Sequence, residues 1–332
     1  MKVLVVVQAY PQISETYIKT EIEMLAEQHE LEIVALSVAN YPFRIRRPHI
    51  QMDIADPAHR KNVIAYLRGF APDIIHGHYL MLAQPLSNLS KILGVPFTLR
   101  SHSFDVLGKT REELQASAHL INQESCLGML AFPFHRQRLE QAGYRPEKII
   151  DCYPVVKYDE FHDVSANGDA IMNMGAALPK KNMGDYIRLS TLLPEKIFNL
   201  YALGYITDEL IAQNMAVGGR VNFVPPVEPD DMPAEYKKHQ WLVYTASAAI
   251  NNVGWPLAIA EAQAAGVGVC VQSIRPDFAD YVGDAGFLFN SVEEAAEIIA
   301  NPPPADMRER GFQQAKKSDI RSHLHLLTDL WR

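Results

Sequence analysis

The sequence is short of cysteine, of long apolar runs and of positive charge. Only three cysteines occur among 332 residues, Cys126, Cys152 and Cys270. They are odd in number, far apart and without paired spacing, which argues against a disulfide framework or a structural zinc site and suits a reducing compartment. No apolar run approaches the roughly 20 residues that span a bilayer. Lys and Arg total 31 against 39 Asp and Glu, a net charge of −8. General nucleic-acid binding is therefore disfavoured, although a local basic patch stays open. The apolar start, Met1 to Val7, runs into Gln8, Tyr10 and Pro11 with no cleavage pattern, so it reads as a buried strand rather than a signal peptide. Internal repeats and low-complexity tracts are absent.

What is present is an ordinary globular composition, 48% hydrophobic and 21% charged, in a length that suits about two domains. Short β-branched runs alternate with helical patterns. Strands are predicted at 2–8, 31–36, 73–76, 97–100 and 127–131, then at 170–174, 198–203, 221–224, 241–244, 267–271 and 286–289. Helices are predicted at 15–28, 60–70, 83–93, 112–122, 134–142, 256–265 and 292–299. This alternation predicts βαβ units and parallel sheets, an α/β class with two Rossmann-like domains. Residues 1–152 form the first and 169–303 the second. The stretch 153–168, with Pro154 and Asn167-Gly168, breaks the rhythm and reads as a linker. Residues 304–332 read as a helical segment, broken near Ser318 and packing back on the first domain. Two such domains predict a cleft, with ligands at the carboxyl ends of strands.

The segment GWPLAIAEAQAAG, Gly254 to Gly266, carries the most information. Pro256 suits a first helical turn. Glu261 interrupts an otherwise apolar helix, and its carboxylate needs donors, for which ribose hydroxyls or protein groups would serve. A helix N-terminus suits a diphosphate. A packed helix with one outward Glu is the plain alternative. Lys180 and Lys181, in GAALPKKNMG, precede a helix, an unfavourable place for cations without an anion nearby. His76-Gly77-His78 places two imidazoles on one face of a strand, but no third metal ligand is near in sequence. Ser101, His102 and Asp105 resemble a hydrolase triad only superficially, since the glycine-flanked nucleophile elbow is missing. Tyr41–His49 holds Phe43, Arg44, Arg46 and Arg47, an aromatic-basic loop that suits an anionic acceptor or anionic lipid, or is simply solvated.

Four segments, in one order, are similar to glycosyltransferase family 4, the retaining GT-B transferases, and most of all to its exopolysaccharide and lipopolysaccharide branch. YPQISETYIKTEIEMLA from Tyr10 resembles the first loop and helix, and APDIIHGHYL from Ala71 the third strand. VPFTLRSHSFDV from Val95 resembles the strand that ends in the family's active-site histidine. GWPLAIAEAQAAG with VGVCVQSI resembles the donor-site helix and the next strand. The resemblance implies two Rossmann-like domains facing a cleft. It implies transfer of a sugar from a nucleoside-diphosphate sugar to a glycan or lipid-linked acceptor, with retention and without metal or further cofactor. The work is expected in the cytoplasm, in peripheral contact with the inner membrane face.

By the same resemblance, Glu261 is the second glutamate of the E-x7-E motif and holds the donor ribose. Lys181 meets the donor diphosphate, where it would neutralise charge on the leaving nucleotide. Gly175, Asn252, Gly254, Trp255, Pro256 and Leu257 complete the expected donor site. His102 is the active-site histidine. Ser14, Glu15, Arg44, Arg46 and His78 are expected on the acceptor side. Two departures stand out. The first glutamate of E-x7-E is Val253, and the donor-phosphate arginine is Ala176. Asn251 and Asn252 are near enough to replace the lost carboxylate. These departures sustain a second expectation, a non-catalytic GT-B subunit that binds a partner transferase or a glycan.

Overall fold

Val3 to Val7 have no solvent exposure, which requires cover on both faces of the strand and so a central place in a parallel sheet. In the computed structural model, which describes residues 1–38, 47–204, 206–250 and 252–332, that place is found. Arg44, Arg46, Phe43 and Asn251 lie outside the described residues.

The first unit comprises Met1–Val155 and Ile320–Arg332. Its strands are β1 (Lys2–Tyr10), β2 (Glu30–Val38), β3 (Ile50–Gln51), β4 (Ile74–His78), β5 (Phe97–Arg100), β6 (Cys126–Ala131) and β7 (Ile149–Asp151). They pair in the order β3-β2-β1-β4-β5-β6-β7, all parallel. Side chains alternate across the pleat. Leu4 and Val6 join Val34, Ile75, Leu86 and Leu99 on one face. Val3, Val5 and Val7 face Ile18, Ile22 and Leu25 of the helix Thr16–Ala26 on the other. The same core takes Ile320, Leu324 and Leu327 from the helix Ile320–Thr328, and then Trp331.

The second unit, Val156–Asp319, repeats the plan. Its strands are β8 (Ala170–Ala176), β9 (Phe198–Leu203), β10 (Val221–Phe223), β11 (His239–Tyr244), β12 (Gly268–Gln272) and β13 (Phe287–Phe289). Their order is β10-β9-β8-β11-β12-β13, again parallel. The unit begins with a bridge from Val156 to Asp319, and the short helix Tyr158–Phe161 buries both its end residues. The helix Leu257–Ala264 is buried on every side from Ile259 onward, so it is an internal element rather than an amphipathic cover.

In both sheets the order reverses beside the first strand, between β1 and β4 and between β8 and β11. Such switch points are where ligands bind at open α/β sheets, at the carboxyl ends of the strands. Among the described residues no helix is long and apolar enough to cross a membrane. All three cysteines are free and buried.

Candidate functional site

At the switch point of the first unit the polar side chains are bound to one another. Glu21 is fully buried on the inward face of its helix. Its Oε1 lies 2.7 Å from His76 Nε2 and 3.3 Å from His78 Nε2, and its Oε2 lies 2.5 Å from Arg100 Nη2. Gly77 between the histidines lets Leu86 pack against the strand, since a Cβ there would come within 2.6 Å of Leu86 Cδ1. Thr98 Oγ1 is 2.9 Å from His76 Nδ1, and Trp331 Nε1 donates to Thr98 Oγ1 at 3.1 Å. Arg100 also donates to Cys152 Sγ at 3.0 Å. Burial alone would raise the Glu21 carboxyl, but Arg100, then His78, and the bonds from both histidines hold it well below the usual range. Glu21, His76 and His78 form a three-ligand group of metal-binding type. The guanidinium already balances the carboxylate, so a cation would have to displace it.

His78, expected at the acceptor, has no exposed surface and links Glu21 to His102 instead. A carboxylate can only accept, which assigns the His78 proton to Nε2. His78 Nδ1 then accepts from His102 Nε2–H at 3.3 Å. Burial pushes His78 down to about 4, and burial with His78 and Arg100 nearby holds His102 well below its ordinary value. Both rings are neutral at pH 7, and the chain of donors leaves His102 Nδ1 as an acceptor. The His102 ring stacks on His78 at 5.5 Å and lies 4.6 Å from Tyr17 and 4.5 Å from Tyr79. Asp105 is no triad member. Its carboxylate accepts from the backbone N–H of His102 at 2.7 Å and of Leu80.

Glu15 is half-buried after β1, while Ser14 is exposed. Tyr79 donates to Glu15 Oε1 at 2.7 Å, and its hydroxyl also meets that of Tyr17. Tyr79 holds a φ of +75°, strained for a bulky residue, and such strain gathers at functional sites. Burial raises the Glu15 carboxyl.

The second unit's switch point is differently filled. Lys181 ends a single helical turn, Pro179–Lys181, just ahead of the helix Met183–Leu192. It has no carboxylate partner among the described residues. Its Nζ rests on the Tyr244 hydroxyl at the end of β11 and 4.5 Å from that ring's centre. Burial, and secondarily the charge of Lys180, pull Lys181 down to about 7. Gly175, with φ +131°, lies beside it at the end of β8, where a Cβ would sit 3.9 Å from Lys181 Nζ. The Lys181 carbonyl accepts from Thr245, and the Lys180 carbonyl from the Ser247 amide. Lys180 Nζ donates to the Asn252 carbonyl at 3.4 Å. Asn252 Oδ1 is buried without a hydrogen-bond partner among the described residues.

Glu261 is 8% exposed and accepts from Tyr236 Oη at 2.7 Å. Burial pushes its carboxyl up to about 7, against the lowering bond from Tyr236. Tyr236 Oη also lies 2.7 Å from Met174 Sδ. Neighbouring residues of β8 thus serve both groups, Met174 through Tyr236 to Glu261 and Gly175 beside Lys181. Ahead of the helix, Val253 is 2% exposed and its carbonyl accepts from Arg275. Trp255 stacks on Tyr281 at 4.8 Å and donates to Asp277, which Arg275 grips with two bonds. Tyr281 donates to the Pro256 carbonyl at 2.8 Å, and Gly254 and Leu257 are half-buried.

No protein-family model matches the sequence, and no functionally curated protein does. Solved structures do. Anabaena HepE in complex with UDP and glucose matches with a TM-score of 0.78 and 16% identity over 98% of each chain. Sucrose-phosphate synthase from Thermosynechococcus elongatus matches with a TM-score of 0.78 and 14% identity over 100% of this chain and 98% of that one. The lipopolysaccharide outer core galactosyltransferase WaaB matches at 0.65 and 14% over 99% of each. At these identities the likeness carries the fold. The chain has the GT-B fold of two Rossmann-like parallel-sheet units.

Proposed function

We propose that this chain is a glycosyltransferase that uses a nucleoside-diphosphate sugar and transfers the sugar to a glycan or lipid-linked acceptor, with retention and without metal. The observation that carries the reading is Lys181, a half-buried cation at a sheet switch point with no carboxylate partner among the described residues. A desolvated ammonium beside a helix N-terminus is stabilised by an anion, and a diphosphate supplies one. Glu261 then takes the ribose hydroxyls, and Lys181 balances the charge that builds on the leaving diphosphate. HepE, bound to UDP and to UDP-glucose, and the galactosyltransferase WaaB support this substrate class. In the first unit, the neutral His102 ring and Glu15 are proposed to serve the acceptor, with Ser14 beside them. Arg44 and Arg46 are proposed to hold an anionic or membrane-bound acceptor. A cytoplasmic location with peripheral membrane contact belongs to the same proposal.

Calorimetry with UDP, ADP and GDP at millimolar concentration tests the donor site, and release of UDP or its counterpart from a sugar-donor panel tests turnover. Binding with turnover is expected. Nucleotide binding without turnover on any donor or acceptor would favour the non-catalytic subunit, a reading supported by the buried Val253 in the family's glutamate position. Absence of any binding would sink both forms of the donor site.

A further inference from the structure

We propose that Tyr236 is a positioning residue for nucleotide binding, whose hydroxyl occupies Glu261 Oε2 and so turns Oε1 toward the ribose hydroxyls. The inference rests on the nucleotide site proposed above and adds a residue that acts through Glu261.

Tyr236 ends the helix Met232–Tyr236 and has no exposed surface. Phe161 packs edge-on against its ring at 5.7 Å and 73°. The ring is therefore fixed, and its O–H reaches Glu261 Oε2 at 2.7 Å. Glu261 Oε1 has no hydrogen-bond partner among the described residues, yet it is not among the enclosed atoms that lack one. One oxygen is committed and the other open, so the carboxyl is oriented as well as satisfied. An acceptor with one free oxygen can take both hydroxyls of a ribose diol, each oxygen having two lone pairs.

The groups facing Glu261 are few. Tyr236 comes from its own short helix and Tyr281 from the helix Asp277–Val282. Tyr201 of β9 lies behind Tyr236. The helices Tyr158–Phe161 and Ala305–Ala315 also pack on the Glu261 helix and bring no charge to it. Among the described residues Tyr236 is thus the one group that lowers this carboxyl against its burial.

The test is Tyr236→Phe, which keeps the ring and removes the O–H. Calorimetry at pH 8 compares UDP with 2′-deoxy-UDP. Wild type is expected to prefer UDP by about tenfold, the worth of a hydrogen bond to a charged group. In Tyr236→Phe the preference should fall to about threefold or less, with 2′-deoxy-UDP affinity unchanged. Glu261→Gln should reduce the same preference, and the double variant should reduce it no further. Equal weakening of both probes would make Tyr236 a structural residue and overturn the proposal, as would an unchanged preference. A second readout needs no ligand: the Glu261 carboxyl, followed by NMR, should titrate at higher pH in Tyr236→Phe, and an unmoved titration overturns the proposal. If wild type binds none of UDP, ADP and GDP, the donor site fails and this inference with it. If wild type binds and the preference stays, only the role of Tyr236 fails.

Discussion

The two switch points hold similar numbers of charged groups and use them in opposite ways. In the first unit Glu21 meets Arg100 and two histidines, and its carboxyl is held well below the usual range. In the second unit Lys181 and Glu261 each lack an opposite charge among the described residues, and burial moves both toward neutrality, to about 7. A satisfied network contributes to the fold. Two groups kept uncomfortable in the absence of ligand are prepared to gain from one. The comparison also separates buried polarity that supports a site from polarity that makes one. Glu21, His76 and His78 stand behind His102 and fix its tautomer, while Lys181 and the open oxygen of Glu261 are the proposed binding groups.

The sharpest way to break the comparison is Arg100→Met. Removing one partner of a buried pair leaves Glu21 uncompensated, and about 3–5 kcal/mol of stability should be lost. A urea midpoint shift with unchanged slope would measure it. A loss under 1 kcal/mol would mean that Glu21 simply takes up a proton. The pH dependence has a defined sign. The native Glu21 pKa lies below its unfolded value, so its contribution is complete above about 4.5 and is lost as pH falls below that.

Lys181→Met should do the reverse. UDP affinity should fall about 10- to 100-fold, the worth of a charge-assisted contact to phosphate. Stability without ligand should hold or rise, because a desolvated cation has been removed. Here the native pKa lies below the unfolded one. Between about 7 and 10.4 the unfolded chain holds a proton that the folded chain does not, so wild-type stability climbs with pH across that range. The variant should lack this rise in a melting series. A variant that is destabilised yet binds UDP normally would make Lys181 structural and sink the contrast.

A milder effect is expected for Trp331→Phe. The indole N–H that anchors Thr98 behind His76 is lost, while most of the apolar packing remains. About 1 kcal/mol of stability should go, with UDP binding unaffected, since the proposed donor groups belong to the second unit. Chemical denaturation and calorimetry on the same preparation check both halves.

Much of this was legible in the sequence. The alternation of β-branched runs and helical patterns located the long strands, and Phe97–Arg100 and Phe198–Leu203 agree to the residue. Ile50–Gln51 and Ile149–Asp151 escaped, because two- and three-residue edge strands have no period to read. Glu21 had a signal that went unused. It lies three residues after Ile18 and four before Leu25, on the apolar stripe of its helix. Tyr236 and Tyr244 had none. Each reaches its partner only through the tertiary fold, 25 residues from Glu261 and 63 from Lys181. Family resemblance supplied Lys181 and Glu261 by position. It gave no hint that Glu261 would be buried and Lys181 half-buried with no opposite charge among the described residues, which depends on packing rather than on motif.

The smallest effect follows from that pair taken together. In the proposed donor site, nucleotide binding needs Lys181 protonated and Glu261 ionised, and burial brings both groups to about 7. Raising the pH deprotonates the lysine, and lowering it protonates the glutamate. Affinity for UDP should therefore be bell-shaped, falling about threefold one pH unit on either side of 7. Net proton exchange should change sign across the optimum. Below it, binding expels the Glu261 proton; above it, binding draws a proton onto Lys181. Calorimetry in buffers of different ionisation enthalpy reads that exchange directly. The ligand's own phosphate, with a pKa near 6, adds to the acid limb. Glu261→Gln separates the two, since the phosphate contribution persists and the carboxyl contribution goes. Lys181→Met should remove the basic limb alone. A flat profile between pH 6 and 8 in the wild type would show that the two groups do not titrate as a charge-deficient pair, and the difference between the switch points would reduce to one of sequence.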